Sequence, residues 1–133
     1  MDIIDIEGIG PVYKEKLNAA GIATAEDLLA KGAKPKGRAE LEAATGIRGT
    51  LLLNWVNMAD LARIKGVGEE YSELLHQAGV DTVVELAKRV PANLHAKLTE
   101  TANQKNLVRA VPSLSQVKKW VAEAKTLPRV VEH

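Results

Sequence analysis

The chain reads as an all-α protein in which one small helical unit is used twice, and three observations predict this. All four aromatic residues fall into two matched pairs, Tyr13 with Tyr71 and Trp55 with Trp120. The tyrosines sit inside two copies of one phrase, Ile6-Glu-Gly-Ile-Gly-Pro-Val-Tyr-Lys-Glu-Lys-Leu-Asn-Ala-Ala-Gly21 and Ile64-Lys-Gly-Val-Gly-Glu-Glu-Tyr-Ser-Glu-Leu-Leu-His-Gln-Ala-Gly79. No stretch alternates apolar and polar residues as a half-buried strand does. Internal repetition is read before fold, and it divides the chain into an expected first unit, 1–61, and a second, 62–133. Each half is just long enough for a small core of its own.

The elements follow in order. Tyr13, Leu17 and Ala20 recur at i, i+4 and i+7, and Tyr71, Leu75 and Ala78 repeat the pattern, so a helix follows each glycine pair with one stripe turned inward. Pro11 suits a first helical position, where no amide partner is lost. Gly21 and Gly79 close these helices, because the left-handed cap costs glycine little, and Ile22 and Val80 follow as apolar plugs. Thr24-Ala-Glu-Asp27 and Thr82-Val-Val-Glu85 each set an acid three residues after a threonine, which predicts a capped second helix, with the Thr82 box the better of the two. Lys31-Gly-Ala-Lys-Pro-Lys-Gly37 reads as a linker, and Pro91 as the matching break. A helix is expected from about Arg38 to Thr45, ending at Gly46. A longer one from about Thr50 buries Leu52, Trp55, Val56 and Ala59. No breaker interrupts 51–64, so this helix is expected to run into the second half. Its counterpart opens at Ser113, boxed with Gln116, and buries Val117, Trp120, Val121 and Ala124.

Composition excludes several classes of function. With 46% apolar and 26% charged residues the chain has the balance of a soluble globular protein, and its apolar runs are too short to span a bilayer. The first residues, Met1-Asp-Ile-Ile-Asp, carry acids where a secretory signal needs a basic stretch. The absence of cysteine removes disulfides and thiolate metal sites and suits a reducing compartment, so a cytoplasmic location is the expectation. His76, His95 and His133 share no ligand spacing, so no metal is expected. No nucleotide loop or Ser-His-acid set can be assembled, Glu40 and Glu42 do not share a helix face, and neither catalysis nor a cofactor nor a small-molecule substrate is expected. The net charge is +1, so any basic surface must be local. Candidate clusters are Lys31, Lys34, Lys36 and Arg38, and Lys105, Arg109, Lys118 and Lys119. The aromatic pairs, at helical spacing among apolar neighbours, are expected in the core.

Ile6-Glu-Gly-Ile-Gly10 and Ile64-Lys-Gly-Val-Gly68 each put two glycines around an apolar residue just before a helix, whose first turn leaves amides unpaired beside a partial positive charge. Such a place can hold a phosphate oxygen. Apolar-x-Gly-apolar-Gly, a helix, then Ala-Gly-apolar-x-Thr and a further helix resembles the helix-hairpin-helix motif, over residues 6–29 and 64–87. The whole chain, through Trp-Val-Asn-Met-Ala-Asp-Leu61 and Pro-Ser-Leu-Ser-Gln-Val-Lys-Lys-Trp120, resembles an uncharacterised bacterial family of tandem helix-hairpin-helix proteins, catalogued as a domain of unknown function. The resemblance implies SAM-like helical bundles packed in tandem and contact with DNA or RNA backbone without sequence reading. The positions it implies are Gly8, Ile9 and Gly10, and Gly66, Val67 and Gly68.

Four cations, Lys34, Lys36, Arg38 and Arg48, are candidates to assist those glycines, Arg48 through a degenerate third hairpin, Thr45-Gly-Ile-Arg-Gly49. Its counterpart near 102–107 has no glycine. Three departures blunt the pattern. Pro11 offers no amide, Val12 stands where a basic residue is usual in such binders, and Glu69 and Glu70 crowd the second hairpin's mouth. Two functions of different class follow: a nucleic-acid backbone binder, and a protein-interaction module in which the fold survives with its phosphate sites blunted.

Overall fold

The computed structural model describes residues 1–106 and 108–133 and is all-helical. A 3-10 turn over Ile3–Asp5 precedes eight helices: α1 (Pro11–Ala19), α2 (Ala25–Gly32), α3 (Pro35–Thr45), α4 (Gly49–Leu61), α5 (Glu69–Gln77), α6 (Val83–Ala87), α7 (Pro91–Lys105) and α8 (Leu114–Ala124). The one extended pairing among the described residues is an isolated bridge between Asp2 and Thr24.

Two compact units result. The first comprises Met1–Asp60 together with Val130–His133, and the second Leu61–Arg129. The tail therefore returns to the first unit, where the sequence division had left it in the second. Nor does α4 run on to residue 64. It stops at Leu61, where the amide of Ile64 turns back to the Leu61 carbonyl at 3.1 Å.

The first unit buries Ile3, Ile6, Ile9, Leu17, Leu28, Leu41, Leu52, Trp55 and Val56 in one core. The stripe expected on the α4 face, Leu52, Trp55, Val56 and Ala59, lies inside. The supposed linker 31–37 shrinks to Ala33 and Lys34, because Lys31 and Gly32 finish α2 and Pro35 opens α3. Gly37 permits this closeness, since a Cβ there would stand 1.9 Å from the Lys31 carbonyl oxygen.

The tail is part of this core. Val131 is 2% exposed, and the amide of Glu132 donates to the Ala33 carbonyl at 2.7 Å.

The second unit packs Leu74, Leu75, Val80, Val83, Leu86, Leu94, Leu98, Val117, Trp120 and Val121 together. Its longest helix, α7, begins at Pro91 as a helix should that carries proline in its first turn. It ends at Asn106, whose φ of 51° is the left-handed cap that asparagine tolerates nearly as glycine does. Leu107, the last residue of the expected counterpart to the third hairpin, lies outside the described residues.

Helix capping reverses one expectation. Thr24 and Asp27 make the full reciprocal box, and the Asp27 carboxylate accepts from the amides of Ala23 and Thr24 at 3.1 and 3.2 Å. Thr82 makes no side-chain cap. Glu85, its supposed partner, accepts instead from Arg89 at 3.2 Å, and Arg89 also reaches the Gly79 carbonyl at 3.0 Å. Ser113 and Gln116 form the second complete box.

The amides of Ala23 and Thr24 hold the Asp27 carboxyl below its ordinary value. A depressed folded-state pKa contributes stability that is whole above the unfolded value and is lost as pH falls through the folded one. Asp27→Asn should therefore flatten the acid limb of a melting-temperature profile below about pH 4 and leave its alkaline side unchanged in slope.

Candidate phosphate-contact hairpins

Each glycine hairpin is built on a tryptophan. Gly8 has φ +95° and Gly66 φ +88°, conformations that L side chains rarely adopt. A Cβ on Gly8 would come 3.0 Å from the Trp55 Nε1 atom, and one on Gly66 would come 3.4 Å from Trp120 Nε1. Ile9 and Val67, between the glycines, are buried, and their amides close the turns onto the carbonyls of Ile6 and Ile64. Tyr13 leans on Trp55 and Tyr71 on Trp120, each with ring centroids 5.2 Å apart. The four aromatics are thus core buttresses of the turns.

Beyond each turn lies an uncapped helix. Gly10 and Gly68 are the N-caps of α1 and α5, and neither helix receives a side-chain cap. At the first mouth Pro11 and Val12 are exposed, Val12 to 66%. At the second, Gly68, Glu69, Glu70 and Tyr71 line a cleft with Arg109, whose Nε lies 3.7 Å from a Glu70 carboxylate oxygen.

Two of the four cations, Arg38 and Lys34, have partners within the chain. Arg38 is only 7% exposed, and its guanidinium donates to the carbonyls of Gly32 at 2.8 Å, Ala33 at 3.1 Å and Glu132 at 2.8 Å. It is the clasp between the α2 terminus and the tail, not a phosphate ligand. Burial draws its pKa down from the ordinary value, and an arginine stays charged nonetheless.

Lys34 lies 4.0 Å from the Glu132 carboxylate. Lys36 and Arg48 are exposed, with no ion pair among the described residues. The geometry of α4 sets Arg38 apart from the first turn. Gly32, Arg38 and Leu41 gather at Val56, and Pro35, Arg38 and Ala39 share a shallow groove with Leu53. Gly8 sits instead on Trp55, a rotation of about 100° from Val56 and about 160° from Leu53.

At the third hairpin Gly46 takes the left-handed cap with φ +73°. The amide of Gly49 already donates to the Glu42 carboxylate at 3.1 Å. The chain has placed its own anion where a phosphate would arrive.

The sequence model of the family described as Domain of unknown function (DUF4332) matches residues 7–127. The chain belongs to this family. No curated protein and no solved structure matches it. In this member of DUF4332, no group of three His, Asp or Glu side chains is arranged to hold a metal among the described residues, and none of their helices is long and apolar enough to cross a membrane. Sequence reasoning missed the clasp role of Arg38. A signal for it lay in the expected break at 31–37, where a turn between two helices leaves carbonyls in need of donors.

Two mutational outcomes follow. Gly8→Ala should cost about 1–2 kcal/mol in urea unfolding from its left-handed backbone alone, with the Trp55 contact adding to it. Gly10→Ala, whose Cβ would meet nothing within 4 Å, should stay within about 0.5 kcal/mol. Arg38→Met should cost about 2–4 kcal/mol by leaving three carbonyls without a charged donor, and Lys36→Ala should leave the unfolding midpoint unmoved.

Proposed function

We propose that the chain is a non-catalytic tandem helix-hairpin-helix module that contacts nucleic-acid backbone weakly and without reading sequence. One observation carries this. The helices that follow the two glycine turns, α1 and α5, have no side-chain cap and start from a glycine N-cap, whereas α3, α6 and α7, also without a side-chain cap, start from Lys34, Thr82 and Val90. The open amides and the partial positive charge of those two termini suit a phosphate oxygen.

Charge supports the reading in the second unit more than in the first. Leu61–Arg129 holds eleven Lys/Arg against seven Asp/Glu, a net +4, while Met1–Asp60 with Val130–His133 holds seven against ten, a net −3. Attraction to a polyanion therefore comes from the second unit, although the first hairpin has no acid in its first helical turn. A protein partner is the second reading, favoured by the exposed Val12 and by Glu69 and Glu70 at the other mouth.

Titration of labelled single-stranded and duplex oligonucleotides, followed by anisotropy at low salt, tests the proposal. With about three phosphates engaged, log affinity should fall against log salt with a slope of roughly −3. Val12→Lys, which puts a cation at the first mouth, should steepen that slope by about one. An anisotropy that stays flat up to roughly tens of micromolar protein, against non-specific affinities of that order, sinks the nucleic-acid reading.

A further inference from the structure

The second unit has a cleft that the first does not reproduce in chemistry. It encloses about 350 Å³ and is lined by Lys65, Gly66, Gln116, Lys119, Trp120 and Glu123. That volume is at the lower end of the range for small-molecule sites. It lies on the Gly66 flank of the turn, away from the mouth formed by Gly68, Glu69 and Glu70.

Three donors around this cleft have no partner among the described residues. The ammonium groups of Lys65 and Lys119 make no ion pair, and both side chains are exposed. The indole Nε1 of Trp120, an obligate donor, lies beside Gly66 with no acceptor. Two of the other lining groups are already occupied. Gln116 accepts from the Ser113 amide at 2.8 Å, and Glu123 accepts from the Lys65 amide at 3.1 Å, which fixes the floor of the cleft. At the matching register in the first unit stand Glu7, Leu51, Asn54 and Met58, none of which is a cation.

We propose that this cleft binds a phosphate group, with Lys65 and Lys119 neutralising its charge and the Trp120 indole N–H donating to one of its oxygens. A compact anion with several acceptor oxygens satisfies separate donors at once, and charge-assisted hydrogen bonds of this kind are the strong ones. The cleft sits in the unit of net charge +4, whose field raises the local concentration of anions. Glu123 weakens the site by its own charge while its carboxylate anchors the turn through the Lys65 amide. The inference rests on the nucleic-acid reading only for the source of the phosphate, which is either a polynucleotide backbone or a free nucleotide.

The two tryptophans make the test direct, since the intact chain gives two indole N–H resonances in a proton–nitrogen correlation spectrum. Titration with adenosine monophosphate, pyrophosphate and a single-stranded oligonucleotide should shift the Trp120 signal saturably and leave Trp55 in place. Lys65→Ala with Lys119→Ala, both at exposed positions, should weaken binding about tenfold without altering the far-ultraviolet circular dichroism. Glu123→Gln keeps an oxygen for the Lys65 amide while removing the charge, and should tighten it.

A response to the nucleotide or pyrophosphate alone keeps the cleft and removes the nucleic-acid function. Oligonucleotide binding that leaves Trp120 unmoved and survives the double substitution removes the cleft and keeps that function. A Trp120 signal that ignores all three ligands at roughly millimolar concentration overturns the inference.

Discussion

The edge of a buried indole against a left-handed glycine is the contact on which each unit is built. Trp55 and Trp120 are 2% and 3% exposed, and their ring nitrogens lie 3.0 and 3.4 Å from where a Cβ on Gly8 or Gly66 would stand. A side chain at Gly8 would press on a tryptophan that a tyrosine ring also contacts, and at Gly66 it would meet the indole at ordinary contact distance. Aromatic pairs at that separation add to what their burial alone contributes. The turn is thereby fixed by packing beneath it, and the direction of the next helix is fixed with it. Hairpin position and core packing are one decision in this fold.

A second theme is that the chain supplies its own counter-groups. Glu42 accepts from the α4 terminus, Asp27 from the turn before α2, and Glu123 from the amide of Lys65. Arg38 does the same in the opposite sense, collecting three carbonyls. Such internal partners stabilise helix ends, yet each removes a place at which an external ion could bind. The termini of α1 and α5 share the lack of a side-chain cap with α3, α6 and α7, and matter because each of the two begins at a glycine.

Much of this architecture was legible because helical periodicity and punctuation are local. The α4 and α8 stripes, Gly46 as a left-handed cap and the Ser113 box needed only neighbouring residues. Helix α7 was legible but unread: Leu94, Leu98 and Thr101 recur at i, i+4 and i+7 and are buried, and Pro91 that opens it looked like a break. What could not be read depends on distant chain. Arg38 has the composition of a surface cation, and its true environment is set by Glu132, 94 residues away. Glu85 was assigned to Thr82 by spacing, but Arg89 competes for it from the next turn. The candidate site suffered most, because spacing along the chain says nothing about which face of α4 each element meets.

The return of Val130–His133 to the first unit has a consequence for synthesis. The N-terminal sixty residues leave the ribosome well before the segment that fills their core with Val131 and gives Arg38 its third carbonyl. Domains usually fold in the order in which they emerge. Here the earlier unit must wait, incomplete, until the later one has been made, so the order in which the two units are completed departs from the order in which their helices are synthesised.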